Sequence, residues 1–212
     1  AIGRESLGAN TTASNNTAVG YFALTTNTTG TGLAAFGQGA LQSSTGNDNT
    51  ALGSNSLQAN TTGANNTAVG RSALVANTTG TRNSSLGSYA LDASTTGDDN
   101  TAIGYNALTA NTTASDNTAV GSYALAANTT GASNVAVGMN ALEVSTTSSE
   151  NTAVGSEALG AMSTGSANTA VGHRALEDCT TGSQNVAVGQ RALYEQTTGE
   201  KNTALGWNAG GS

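Results

Sequence analysis

The sequence predicts an all-β fold, a parallel β-solenoid or β-roll of thirteen coils of about seventeen residues, assembled as a homotrimer. Three observations predict it. First, an apolar residue followed by Gly recurs at Gly3, Gly20, Gly37, Gly53, Gly70, Gly87, Gly104, Gly121, Gly138, Gly155, Gly172, Gly189 and Gly206, and every step is seventeen residues except the sixteen from Gly37 to Gly53. A fixed period of this size marks a stacked array in which each unit buries its apolar side only against its neighbours. Residues 1–212 therefore read as one repeat array and not as two globular domains. Second, Leu, Ile, Val and Phe supply only 31 of 212 residues while 9% are charged, which suits a thin, regular scaffold better than a thick core or a self-repelling disordered chain. Third, seventeen residues amount to about 4.7 helical turns, so a helix would rotate its apolar face from unit to unit. Gly, Thr and Asn are also poor helix formers.

Counting from each glycine as zero, the unit reads Asn-Thr-Ala-Val-Gly-x-x-Ala-Leu-x-x-Asn-Thr-Thr-Gly-x-x, and Asn66 to Arg82 is a clean copy. Asn opens eleven units and Leu33 replaces it in one. Stacked Asn amides can hydrogen-bond from coil to coil, which predicts a ladder through Asn16, Asn49, Asn66, Asn100, Asn117, Asn151 and Asn202. Thr-Ala-Val-Gly reads as a short strand, with Thr and Val on one face and Ala and Gly on the other. The glycine permits a tight turn or close backbone approach. Position +3 is always Ala or Ser, and +4 is Leu in every unit but the last, where Gly210 stands. Asn-Thr-Thr-Gly is turn chemistry. Every Asp, Glu, Lys and Arg falls at +1, +2, +5, +6 or the two closing positions, so the other columns form a buried ladder under a decorated outside. At about 4.8 Å per coil the rod is about 60 Å long.

The alternation has a consequence for assembly. If Ala and Gly face a narrow interior, the apolar column before each glycine points outward, and a stripe that long exceeds what soluble monomers usually leave exposed. The expected interface is Val19, Val69, Val120, Val137, Val154, Val171 and Val188 at the shared axis of a parallel homotrimer. The opposite register, with Val inside one fat coil, predicts a monomer.

Charge and chemistry point away from catalysis. The net charge of -7 comes from thirteen thinly spread acids with no basic stripe to follow a phosphate backbone, so no nucleic-acid partner is expected. No run of eighteen apolar residues is present to insert in a membrane. The single His173 lies at a variable position beside Arg174, and the reading is a solvated side chain, not a general base. Asp48, Asp98-Asp99, Asp116 and Glu177-Asp178 do not recur at one column as calcium-binding solenoids require, and neither metal nor cofactor is expected. Cys179 stands where other units carry Asn or Ser and reads as a tolerated small residue. Paired threonines such as Thr61-Thr62, Thr78-Thr79 and Thr129-Thr130 would stack into two rows, an arrangement that suits ice binding as well as turn formation. Asn27-Thr28-Thr29 and Asn128-Thr129-Thr130 match a glycan acceptor pattern. Tyr21, Tyr89, Tyr105, Tyr123, Tyr194 and Trp207 sit mostly at +1 or +2, where exposed rings can stack on sugars.

Units such as Asn66-Thr67-Ala68-Val69-Gly70-Arg71-Ser72-Ala73-Leu74 resemble the repeats of long phage tail fibres and bacterial surface proteins, and more distantly the coils in the heads of trimeric autotransporter adhesins. The resemblance covers essentially the whole chain and implies a trimeric left-handed parallel β-roll. The inserted Asn-Thr-Thr-Gly loop departs from the shorter adhesin period. The expected function is a non-enzymatic extracellular fibre or shaft on a cell or virion surface. Glycan adhesion through the variable columns is the alternative, and ice binding a lesser one. The segment opens and stops partway through a unit, which fits a piece of a longer fibre or a unit that stacks end to end.

Overall fold

The structure is a computed structural model that describes residues 1–211. Twelve three-residue strands, from Thr17–Val19 to Thr203–Leu205, form one parallel sheet in which each strand pairs with the next in sequence. Ile2 adds an isolated parallel bridge to Val19. The chain is thus a β-solenoid as predicted, with twelve strands bounding about eleven turns where the glycine count gives thirteen coils. The unit of Gly3 has a single residue before Ile2, so it contributes a bridge instead of a strand.

Backbone hydrogen bonds between coils continue well beyond the strands. Gly70 N donates to Leu52 O (2.8 Å), Leu74 N to Ala90 O (2.9 Å), Thr78 N to Thr95 O (2.9 Å) and Arg82 N to Ala64 O (3.1 Å). One coil therefore satisfies its polar backbone mainly on its two neighbours, as a chain this thin must. The short unit keeps the pattern: Ala34 pairs with Thr50 at a separation of sixteen, and the loop loses its second Thr while Thr45 N still reaches Thr61 O at 2.8 Å. The missing residue is taken out of a loop, and the sheet register is untouched.

The strand alternation places Ala inside and Val outside. Ala18, Ala68, Ala102 and Ala170 are fully buried, as are the +3 alanines from Ala23 to Ala192 and the +4 leucines from Leu24 to Leu176, while the residues on either side of each strand alanine face outward. Ser85 is the one strand centre with a hydroxyl, and it donates to Ala90 O at 2.9 Å. The glycine at zero is required by contact: at Gly104, φ is 138° and an added Cβ would lie 2.5 Å from Gly121 O in the next coil.

The Asn amides at -4 bond from coil to coil from Asn49 to Asn202, while Asn16 meets Leu33 N instead of another Asn. Asn117 Oδ1 accepts from Asn134 N (3.0 Å) and Asn134 Nδ2 (3.1 Å), while Asn117 Nδ2 donates across its own coil to Gly131 O (2.9 Å). A second buried set stands at +7. Asn66 Nδ2 (2.8 Å) and Asn77 Nδ2 (3.0 Å) both donate to Gly80 O, so two amides from opposite walls close on one carbonyl. Sequence reasoning assigned the +7 Asn to a turn; its burial follows from the coil turning inward there.

Three columns adopt left-handed backbone with glycine at only one position in each, Gly39 at +2, Gly210 at +4 and Gly32 at +12. Leu at +4 has φ between 49° and 53° in every unit from Leu7 to Leu193, and residues as different as Tyr89 (60°) and Arg82 (57°) occupy +2 and +12. Left-handed φ is least tolerable for side chains branched at Cβ. That explains why the +4 column carries no Val or Ile and is Leu in every unit but the last, whereas the outward strand column also accepts Val and Ile.

Three variants of the full chain test these assignments. Leu108→Met should cost less than about 1.5 kcal/mol in denaturant unfolding, because volume and backbone tolerance are kept. Leu108→Ile should cost about 2 kcal/mol or more, because strain is added to repacking. Asn117→Asp should destabilise by about 2–4 kcal/mol at neutral pH, since a buried carboxylate replaces the donor to Gly131 O. Burial raises the pKa of such a carboxyl. The loss should therefore shrink as the pH falls through that raised value and the protonated acid regains a donor, which thermal melts between pH 7 and pH 4 would register.

Candidate interaction surface

The long outward face is built from two columns, Thr at -3 and the apolar residue at -1, on either side of the buried alanine. Val19, Val69, Val120, Val137, Val154, Val171 and Val188 lie on it half-buried, and larger residues in the same column protrude more, with Leu52 and Leu86 each 49% exposed. In two strands Val135 and Val186 replace Thr at -3 and widen the apolar stripe.

Chain entering each strand passes through the closing pair, and chain leaving it passes through +1 and +2, so these corners are the two edges of the face. The leaving edge carries aromatics in contact. Tyr89 and Tyr105 have ring centroids 6.3 Å apart and Tyr105 and Tyr123 are 5.5 Å apart, both edge-on. The Arg71 guanidinium lies 5.4 Å from the Tyr89 centroid and that of Arg4 5.8 Å from Tyr21. Sequence reasoning treated these tyrosines as scattered. Their separations of sixteen and eighteen straddle the period, which is the signal that they meet across successive coils.

Ion pairs also link successive coils. Arg82 grips Asp99 through two bonds of 2.6 and 2.7 Å, and its hydrogen bond holds the Asp99 carboxyl below the usual range. Arg174 reaches Glu157 (2.5 Å) and Glu177 (3.2 Å). Burial pushes the Glu177 carboxyl up, with Arg174 partly opposing it.

The remaining sequence candidates are placed as follows. His173 is exposed beside Arg174. Asp98 Oδ1 accepts from Thr81 N (2.6 Å) and Thr81 Oγ1 (2.9 Å), Asp48 and Asp116 are exposed, and among the described residues no three His, Cys, Asp or Glu side chains converge as a metal site. From Thr61 to Thr180 the first Thr of a pair is engaged in the stack, as where Thr61 Oγ1 donates to Thr78 O (2.8 Å) and Thr129 Oγ1 to Thr146 O (3.0 Å), leaving the second, such as Thr62 and Thr130, facing outward. Asn27 and Asn128 are buried, their amides bonded to Gly30 O and Gly131 O, so neither acceptor amide faces solvent in the folded coil. No helix among the described residues is long and apolar enough to cross a membrane. Compared with known proteins, the chain matches no family model, no curated protein and no solved structure.

Cys179 fills a +7 site of the interior, and burial raises its thiol pKa. At pH 8 a maleimide should label the native chain about 100-fold or more slowly than the urea-unfolded chain, because reaction must wait for local opening. Mass spectrometry of timed samples measures the ratio.

Proposed function

We propose that the chain is a non-enzymatic shaft, an extracellular fibre segment on a cell or virion surface that stiffens and projects an adhesive or receptor-binding appendage. The observation that carries this reading is an unbroken twelve-strand stack whose outward face keeps one apolar column along its whole length. Solenoid stiffness comes from nearest-neighbour coils alone, so such a rod lengthens without needing a larger core. Burying each outward Val or Leu contributes on the order of 1.5–3 kcal/mol, which summed over the column supports a homo-oligomer, a trimer, with that column at its axis.

The exposed Tyr105 and Tyr123, with the half-buried Tyr89 beside them, favour a second reading in which the shaft also holds a surface glycan along its leaving edge.

Light scattering of folded protein should return three times the 20.6 kDa chain mass, and Val120→Lys with Val154→Lys should lower it. A folded monomer at micromolar concentration overturns the assembled shaft. On a glycan array the shaft reading expects no hits; hits abolished by Tyr105→Ala establish the adhesive one.

A further inference from the structure

The charged residues, thinly spread along the sequence, are sorted around the coil. The edge leaving the sheet carries four arginines, Arg4, Arg71, Arg174 and Arg191, and two acids, Glu5 and Glu157, both of which pair with an arginine of that same edge. The edge entering the sheet carries six acids against Arg82 and Lys201, and Arg82 is itself held by Asp99. One flank of the outward face is therefore net positive and the other net negative. The remaining charged corner, at +5 and +6, holds five acids and no base, and Glu177 reaches from it to an arginine of the leaving edge, Arg174 at 3.2 Å.

We propose that the outward face takes a second copy of this chain running in the same direction, with the acidic entering edge of one copy against the arginine-bearing leaving edge of the other. The inference rests on the homo-oligomeric reading above, in which the chains run parallel, and adds which edges meet. When two such faces meet with their chains parallel, left and right exchange and each acidic edge lies opposite a basic one. When they meet antiparallel, acid faces acid and arginine faces arginine along the whole rod. Like charges so placed oppose docking, and complementary ones fix register. The same exchange operates around any cyclic axis parallel to the rod: two copies meet isologously, and three or more meet through heterologous contacts that close.

The levels along the rod agree. Asp48 enters the strand one coil before the one Arg71 leaves, Glu150 stands one coil before Arg174, and Glu200 one coil after Arg191. Copies held in register thus place each of these arginines at a level along the rod about one coil spacing, about 4.8 Å, from that of an opposite charge on the neighbour. The face is about 60 Å long and about 10 Å wide before its edges are counted, so face and edges together reach the roughly 800 Å² per partner of a stable interface. The five acids left outside repel further lateral growth.

The test uses the full chain in three forms: native, acid-edge-reversed (Asp48→Lys, Asp116→Lys, Glu150→Lys) and basic-edge-reversed (Arg71→Glu, Arg191→Glu), each checked for its β-type dichroism. At low salt either reversed form alone should associate about 10-fold or more weakly than native, and a one-to-one mixture should recover association. Should a reversed form fail to fold, Arg71→Gln with Arg191→Gln takes its place and should show a smaller loss of the same sign. Direction is read by energy transfer in a Cys179→Ser background, with dyes on Ser14→Cys or Gln184→Cys: transfer between Ser14 positions on different chains should exceed that between Ser14 and Gln184. Reversed forms that associate as tightly as native overturn the edge pairing and leave the apolar assembly standing, and stronger Ser14 to Gln184 transfer overturns the parallel polarity. A native protein that is folded and monomeric overturns the assembly and this inference together.

Discussion

Everything in this rod depends on each coil lying in register on a copy of itself. The interior is too narrow for a conventional core: it holds two small residues, one Leu and two amide positions per coil. One buried Leu contributes about 1.5–3 kcal/mol, which is small beside the cost of ordering the seventeen residues of its unit. The stack is closed by hydrogen bonds that exist only because the next coil presents the same groups at the same place. Asn in the interior makes sense on those terms alone, since a buried amide without partners is costly, whereas here Asn134 finds Asn117 on one side and Ser148 O on the other. Periodicity is thus the condition under which this composition folds at all.

The backbone then chooses among apolar residues. Two apolar columns run the length of the rod and they are not interchangeable. The strand column is extended and half-exposed, and it accepts Val, Ile, Leu and Phe. The column at +4 has left-handed backbone and full burial, and it accepts only Leu among the large residues. Hydrophobicity sets that both columns are apolar, and φ sets which apolar residue each can carry.

Those two facts explain what was legible in the sequence. The period, the strand, the inward Ala and outward Val, and the Asn ladder at -4 were readable because each is a property of one column repeated. What escaped were relations between columns far apart in the unit. The Asn at +7 looks like a turn residue until it is seen to share Gly80 O with the Asn at -4. The left-handed backbone at +2 and +12 left a diluted mark: Asn, Asp or Gly fill eleven of the twenty-five positions and no β-branched residue occurs, but Tyr, Arg, Glu and Lys stand among them, held left-handed by the stacking. The tyrosine contacts and the sorting of charge likewise appear only when the chain is wound and +1 and +12 become the two edges of one face.

Winding also bears on what such a face can recognise. A contact repeated once per coil is worth little by itself, but twelve of them on a rigid spacing act together if the partner offers the same spacing. A globular partner meets two or three coils and gains no more than those. A partner with the axial repeat of the rod engages every coil at once, and another copy of the same rod has that repeat by construction. Weak side-chain contacts thereby add along the whole length, and a modest imbalance of charge between two edges, repeated over tens of ångströms, becomes enough to decide direction.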